Sequence, residues 1–445
     1  MTSVNATAAW WRPEPRARAL EGSGSDSRVA FGALVAFTGI LVLSPQVWFP
    51  VLRPLRIAFI AGVVAIAAHF LNRSVQRRAA EPLQPEMAIA FALVGWAALT
   101  LPLSYWPGGS LAELLDIFVK AVAFFWLIGT LVTTTVRLRR FVWALVLTTI
   151  PLAVTALKNY QTGVFLVTPV PTVQRIAGYN IDGGSGLTAN PNDLALLLNL
   201  VLPFAMALVA TARGLPLRLL ALGSVLLSIA GVVVTFSRAG FLGLATIFVS
   251  SLLLFGRRQP LVALAAIVVV VAALPTMLPE GYLDRLNTIT NIEADRTGSA
   301  QGRWGDLTVA ANAVMHNPVT GVGLGQNILA LNALRGETWR VVHNVYLQYA
   351  VDLGIPGLLL FLWLFVAVFR AANRVRRRAR ADRTLREVGF MADAALIALS
   401  TFAVAAFFYP VAYQFFFFCI AGLALAVRNA FRDRIRLTSR SPVPA

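Results

Sequence analysis

Arg238, Arg303 and His343 are the residues of this 445-residue chain best suited to chemistry. A guanidinium presents a planar fork of donors that pairs bidentately with phosphate oxygens, so two or three arginines suit a diphosphate. A neutral imidazole can take a hydroxyl proton near pH 7. Lys120 adds a cation inside an apolar stretch that opens with Glu113 and Asp116, and Asp116 stands at i, i+4 pairing distance from it. An intramembrane charge marks either a site or a self-satisfied pair, and both readings stand for Lys120. No Asp-x-Asp, His-Glu-x-x-His or Cys-x-x-Cys motif occurs, and the single cysteine, Cys419, permits neither an intramolecular disulfide nor a Cys/His metal cluster. No cofactor and no metal are therefore expected. Arginine would do the leaving-group work that a divalent cation does elsewhere.

The elements that must hold these residues are membrane helices. The chain is 58% hydrophobic and 13% charged, about half the charged share of a soluble protein. A spanning helix needs about 20 mostly apolar residues. Twelve such stretches are found near 30–49, 55–72, 87–105, 111–133, 139–157, 193–212, 216–235, 238–256, 260–278, 345–370, 390–409 and 411–428. The expected fold is an all-α polytopic membrane protein of the GT-C-like kind, with about twelve transmembrane helices. Spans 1–9 occupy 30–278 and spans 10–12 occupy 345–428. One large loop at 279–344 carries short helices. Residues 1–29 hold no short apolar run with a cleavage site and read as a disordered cytoplasmic tail, and 429–445 as a second tail. With the N-terminus cytoplasmic, 27 of the 38 Lys and Arg fall inside, which satisfies the positive-inside rule. The net charge of +18 is thus mostly a topology signal, with some attraction to anionic membrane lipids. Basic residues spread over separate loops exclude a nucleic-acid-binding face.

This topology puts the chemistry outside. The 279–344 loop carries five arginines, His316, His343 and the aromatic anchors Tyr282, Trp304 and Trp339, with Tyr346 just beyond it. Asn190-Pro191-Asn192-Asp193 reads as a helix start, with Asn190 as N-cap and Pro191 at N1. Thr235 to Gly240 joins two spans with almost no loop, leaving Arg238 at a helix N-terminus. A bound anion there would offset its unfavourable position on the helix dipole; snorkelling to headgroups is the plainer role. Residues 303–317 read as an amphipathic helix with Trp304, Leu307, Ala311, Val314 and Met315 on its apolar face, Trp304 being the interface anchor. Gly321-x-Gly323-x-Gly325 follows no strand, so it reads as a tight bend and not as a dinucleotide fingerprint. His316 reads as a helix-end residue and His69 as the cytoplasmic end of the second span.

Arginines, one histidine and Lys120 on one side of a membrane fit glycosyl transfer from a lipid diphosphate carrier. The order Ser237-Arg238-x-Gly240, Arg303-Trp304, Asn317-Pro318-x-x-Gly321-x-Gly323-x-Gly325, His343-Asn344-x-Tyr346-Leu347 and Gly354-x-x-Gly357 resembles the O-antigen ligase/polymerase superfamily, and within it the lipopolysaccharide O-antigen ligases most. The resemblance covers roughly Asn190 to Gly357. It implies a donor, undecaprenyl diphosphate-linked O-antigen, and an acceptor, lipid A–core, joined on the periplasmic face of the bacterial inner membrane. It also implies His343 as general base and Arg238 and Arg303 as diphosphate ligands, with Arg340 or Arg175 as further neutralising charge. O-antigen polymerases and protein O-oligosaccharyltransferases share the donor. A transporter would instead show inverted repeats and midplane charge, and neither pattern stands out here.

Overall fold

The computed structural model describes residues 27–77, 82–164, 187–188, 190–256, 279, 282–287, 299–336 and 338–440. Every regular element among them is helical. Among the described residues nine helices are long and apolar enough to cross a membrane: α2 (Ile57–Val75), α3 (Pro85–Leu103), α4 (Pro107–Leu131), α5 (Thr135–Gln161), α6 (Pro191–Thr211), α7 (Leu215–Val234), α12 (Val345–Ala379), α13 (Arg386–Ala405) and α14, whose apolar part is Phe415–Thr438. The flanking helices α1 (Arg28–Leu43) and α8 (Arg238–Leu254) are apolar but shorter. Twelve expected spans thus become nine, two short helices and one stretch, 260–278, that lies outside the described residues. The N-terminal tail and most of the 158–192 loop, Arg175 included, lie outside them too. Three short helices, α9 (Tyr282–Asn287), α10 (Ser299–His316) and α11 (Asn327–Arg335), follow α8 in the chain.

Pairing at the helix ends sorts the bundle into two ends. Arg380, just past α12, donates to the carbonyl of Leu254 at the close of α8. The Val345 N–H at the start of α12 donates to Ala406 O at the close of α13, 2.7 Å away. α13 therefore runs antiparallel to both α8 and α12, which places Arg238 and His343 at the same end. The other end collects basic side chains on carboxylates: Arg139 on Glu387, Arg376 and Arg380 on Asp393. Between them the core is closely packed aliphatic and aromatic surface, with Phe361, Phe402 and Phe417 meeting where α12, α13 and α14 converge.

α12 is broken near its start. Gly354 has φ 69° and ψ −177°, outside helical space, and Pro356 follows without an N–H. The break strips the carbonyls of Val351, Asp352 and Leu353 of helical donors, a cost of several kcal/mol each inside a bilayer unless others replace them. Val322 N–H bonds Val351 O at 2.9 Å, Gly323 N–H bonds Asp352 O at 3.0 Å, and Trp96 Nε1 bonds Leu353 O at 2.8 Å. In return Ile355 N–H reaches Pro318 O. The 317–325 segment is therefore threaded into the gap, and its three glycines all take left-handed φ: 68°, 106° and 75°. A Cβ at Gly321 would strike the Asp352 backbone, and one at Gly354 the Val319 carbonyl. The expected tight bend is present, and its purpose is to satisfy a split helix.

Candidate active site

His343 sits two residues before α12, half-buried, in a segment whose every neighbour is fixed. Its Nδ1 lies 2.9 Å from Val341 O. A carbonyl only accepts, so Nδ1 carries the proton and Nε2 is the basic nitrogen of the neutral ring. Val342 N–H donates to Asn327 Oδ1 at 3.0 Å. Asn327 in turn gives its Nδ2 to both oxygens of the fully buried Asp352, at 3.1 Å each, and its own backbone N–H to Asp352 Oδ1 at 2.8 Å. Asn344 caps α12 by accepting from Leu347 N–H. Tyr346 Oη then donates to Ala403 O and Tyr349 Oη to Ala412 O, tying α12 to the last turn of α13 and to the turn between α13 and α14.

Arg238 opens α8 behind its N-cap, Ser237, whose Oγ accepts from Gly240 N–H. This matches the helix start expected from sequence. The turn before it holds Phe236 at φ 51°, a left-handed conformation that costs an ordinary residue of order 1 kcal/mol. Aromatic packing offsets this: Tyr282 of α9 sits 5.3 Å from Phe236 and 6.4 Å from Phe241, and Tyr160 closes on Phe236 from the far side. Tyr282, expected as a surface anchor, is instead 1% exposed, and burial pushes its phenol up to about 12. A ring clamped against a strained turn contributes more by burial than by floating in an interface.

The other arginines gather on α10. Arg335 and Arg340 both meet Asp306 Oδ1, and Arg335 also donates to the Arg340 carbonyl. Arg340 lies against the backbone of Gly302, so it neighbours the position of Arg303. Two guanidiniums share one carboxylate, which leaves the cluster cationic. Lys120 is engaged by Asp116 at 2.9 Å and is 41% exposed, as the pairing reading expected.

α10 presents two distinct faces. Its buried side is Asp306, Ala310 and Ala313, packed on Val322, Val342 and Val351, while Trp304 and Met315 turn outward at 66% and 80% exposure. Small alanines let α10 approach α12 closely, and Asp306 goes inward because it holds two arginines. His316 is the last residue of α10, with Nδ1 on Asn312 O, and Asn190 caps α6, both as expected. Sequence reading missed Asp306, Asn327 and Asp352. The only available signal was an acidic residue two positions before a Gly-x-Pro break within a span. Among the described residues no group of three or more His, Cys, Asp or Glu side chains gathers as a metal site.

With this geometry in hand, a comparison with family models gives one result. Residues 223–362 match the Wzy_C model, O-antigen ligase. The segment carrying this O-antigen ligase domain is 140 residues, just under a third of the chain, and runs from within α7 into the first half of α12. It holds Arg238, Arg303, Arg340 and His343 together with Asp306, Asn327 and Asp352; Lys120 and Arg175 lie outside it. Ligases, polymerases and related enzymes share the domain, which makes the chain a multi-pass membrane enzyme of glycosyltransferase type in lipid-linked glycan assembly. No curated protein matches it.

Proposed function

We propose that this enzyme is the lipopolysaccharide O-antigen ligase. It moves O-antigen polysaccharide from undecaprenyl diphosphate to a sugar of lipid A–core at the periplasmic face of the bacterial inner membrane, with both termini cytoplasmic. The observation that supports this most is the shared end: Arg238 heads α8 where His343 heads α12, and His343 has its Nδ1 committed to Val341 O.

In this reading Nε2 of His343 removes the proton from an acceptor hydroxyl as that oxygen attacks the anomeric carbon of the donor. The bond from that carbon to the diphosphate oxygen breaks, and the diphosphate departs with the electron pair. Attack opposite the leaving group inverts the anomeric centre in one step. Arg238, at a helix N-terminus, and Arg303 hold the diphosphate and take up its growing charge. Arg340, Arg175 and Lys120 add secondary charge. No metal is required.

The test is transfer by the purified protein from one lipid-linked donor to each of three acceptors in the presence of EDTA. Product on lipid A–core is the expected result. Product only on a second lipid-linked glycan would make the enzyme a polymerase, and product only on a protein would make it a protein O-oligosaccharyltransferase. Loss of all transfer on chelation would remove the metal-free step. Movement of donor across vesicles without any transfer would mean a transporter.

A further inference from the structure

The buried pair Asn327 and Asp352 touches the base only through the main chain. Asp352 is fully buried inside a span, just before the α12 break, about 10 Å along the helix from its start. A carboxylate so placed is costly unless its oxygens are bonded, and Asn327 supplies three donors to it. Packing alone does not call for this arrangement, because an apolar residue would fill the space without a desolvation cost. What Asp352 fixes is the rotation of one amide. With Nδ2 held by both carboxylate oxygens, Oδ1 of Asn327 must face the other way, and there it accepts Val342 N–H at 3.0 Å. Val342 is flanked by Val341, whose carbonyl takes the Nδ1 proton of His343, and by His343 itself.

We infer that Asn327 and Asp352 are positioning residues for His343: the carboxylate orients the amide, the amide holds the Val341–Val342 peptide, and that peptide sets the ring and its tautomer. The inference rests on the proposed role of His343 as base. Neither residue touches substrate. The pair is 25 residues apart in sequence and also fixes α11 against the first half of α12, just before its break.

The test is a four-variant cycle, read as release of polyprenyl diphosphate from a polyprenyl-diphosphate-linked oligosaccharide, with lipid A–core and a second lipid-linked glycan both supplied. Rates are normalised to folded protein. Asn327→Leu and Asp352→Leu should lower kcat about 10- to 100-fold with the donor KM within about twofold, because the base is misplaced while the diphosphate ligands stay. Asn327→Asp should be as poor, since it sets two carboxylates face to face. The exchange Asn327→Asp with Asp352→Asn keeps the link from residue 352 through residue 327 to Val342: the new carboxylate accepts from Val342 N–H and the new amide, and the new amide oxygen accepts from the residue-327 backbone N–H. It should recover kcat to within about threefold. Should Asn327→Leu fail to fold, the exchange variant against Asn327→Asp still decides the matter. A folded Asn327→Leu enzyme with wild-type kcat, or an exchange variant no better than Asn327→Asp, would overturn the inference. His343→Ala is measured alongside. If it keeps full activity the base assignment itself fails; if it is inactive while Asn327→Leu is not, only the positioning role fails.

Discussion

The two ends of the helix bundle hold their charges in opposite ways. At the arginine end the paired cations meet carboxylates on a neighbouring helix: Arg139 grips Glu387 with two bonds of 2.6 and 3.0 Å, and Asp393 serves both Arg376 and Arg380. These are local pairs, replaceable one at a time. At the histidine end the polar groups join one connected assembly. Val341, Val342, Asn327, Asp352 and the 317–325 segment each depend on the next. The first arrangement suits orienting a protein in a membrane. In the proposed function, the second keeps His343 in place as the base.

The sharpest way to break this contrast is His343→Ala. Loss of a general base typically costs 10²–10⁴ in rate, so transfer should fall by about a thousandfold with unchanged donor affinity and unchanged melting temperature. Normal ligation in that variant would leave the histidine end without its chemistry. Arg238→Lys comes next. An ammonium keeps the charge but loses the planar fork, and a charge-assisted bond lost there corresponds to roughly 10- to 100-fold in kcat/KM for the donor. Equal activity of the lysine enzyme would mean that Arg238 meets lipid headgroups in general and not a diphosphate.

Much of this was legible before any coordinates, for physical reasons that differ by residue. Spans declare themselves because about 20 consecutive apolar residues have few other uses. The Asn190 cap declares itself because a side-chain oxygen ahead of a helix has one obvious partner, the N–H two or three residues on. Asp306 and Asp352 stayed hidden because their partners are distant in sequence: Arg335 and Arg340 in one case, Asn327 in the other. The α12 break was also passed over, although Gly354 and Pro356 two residues apart inside an apolar run are breaker signals in their own right. Hydropathy averages over such a break because the residues on both sides of it remain apolar.

Gly354→Ala probes the connected end through its backbone. A left-handed φ costs a residue with a Cβ about 1–3 kcal/mol, and here the Cβ would also strike Val319 O, so the loss of stability should exceed that range. A lowered melting temperature together with lost activity is expected, measured in detergent and in lipid. Glu387→Gln is the matched change at the arginine end. The pair is partly exposed, so its removal should cost only about 1 kcal/mol and leave kcat untouched. If Glu387→Gln abolished transfer while Gly354→Ala did not, the contrast between the two ends would be inverted.

Lys120 gives the smallest and finest test. It lies outside the matched domain, is paired with Asp116 on its own helix, and is partly open to its surroundings, so any contact with the donor competes with a partner already present. Lys120→Gln should therefore raise the donor KM by no more than about threefold and leave kcat alone, the size expected of an exposed, screened charge. Asp116→Asn separates the two roles that remain. Releasing Lys120 from its partner should lower the donor KM if the ammonium reaches the diphosphate, because the competing carboxylate is gone. If the ion pair is structural only, both variants should bind donor like the wild type, and the cationic site then contracts to the arginines around α8 and α10.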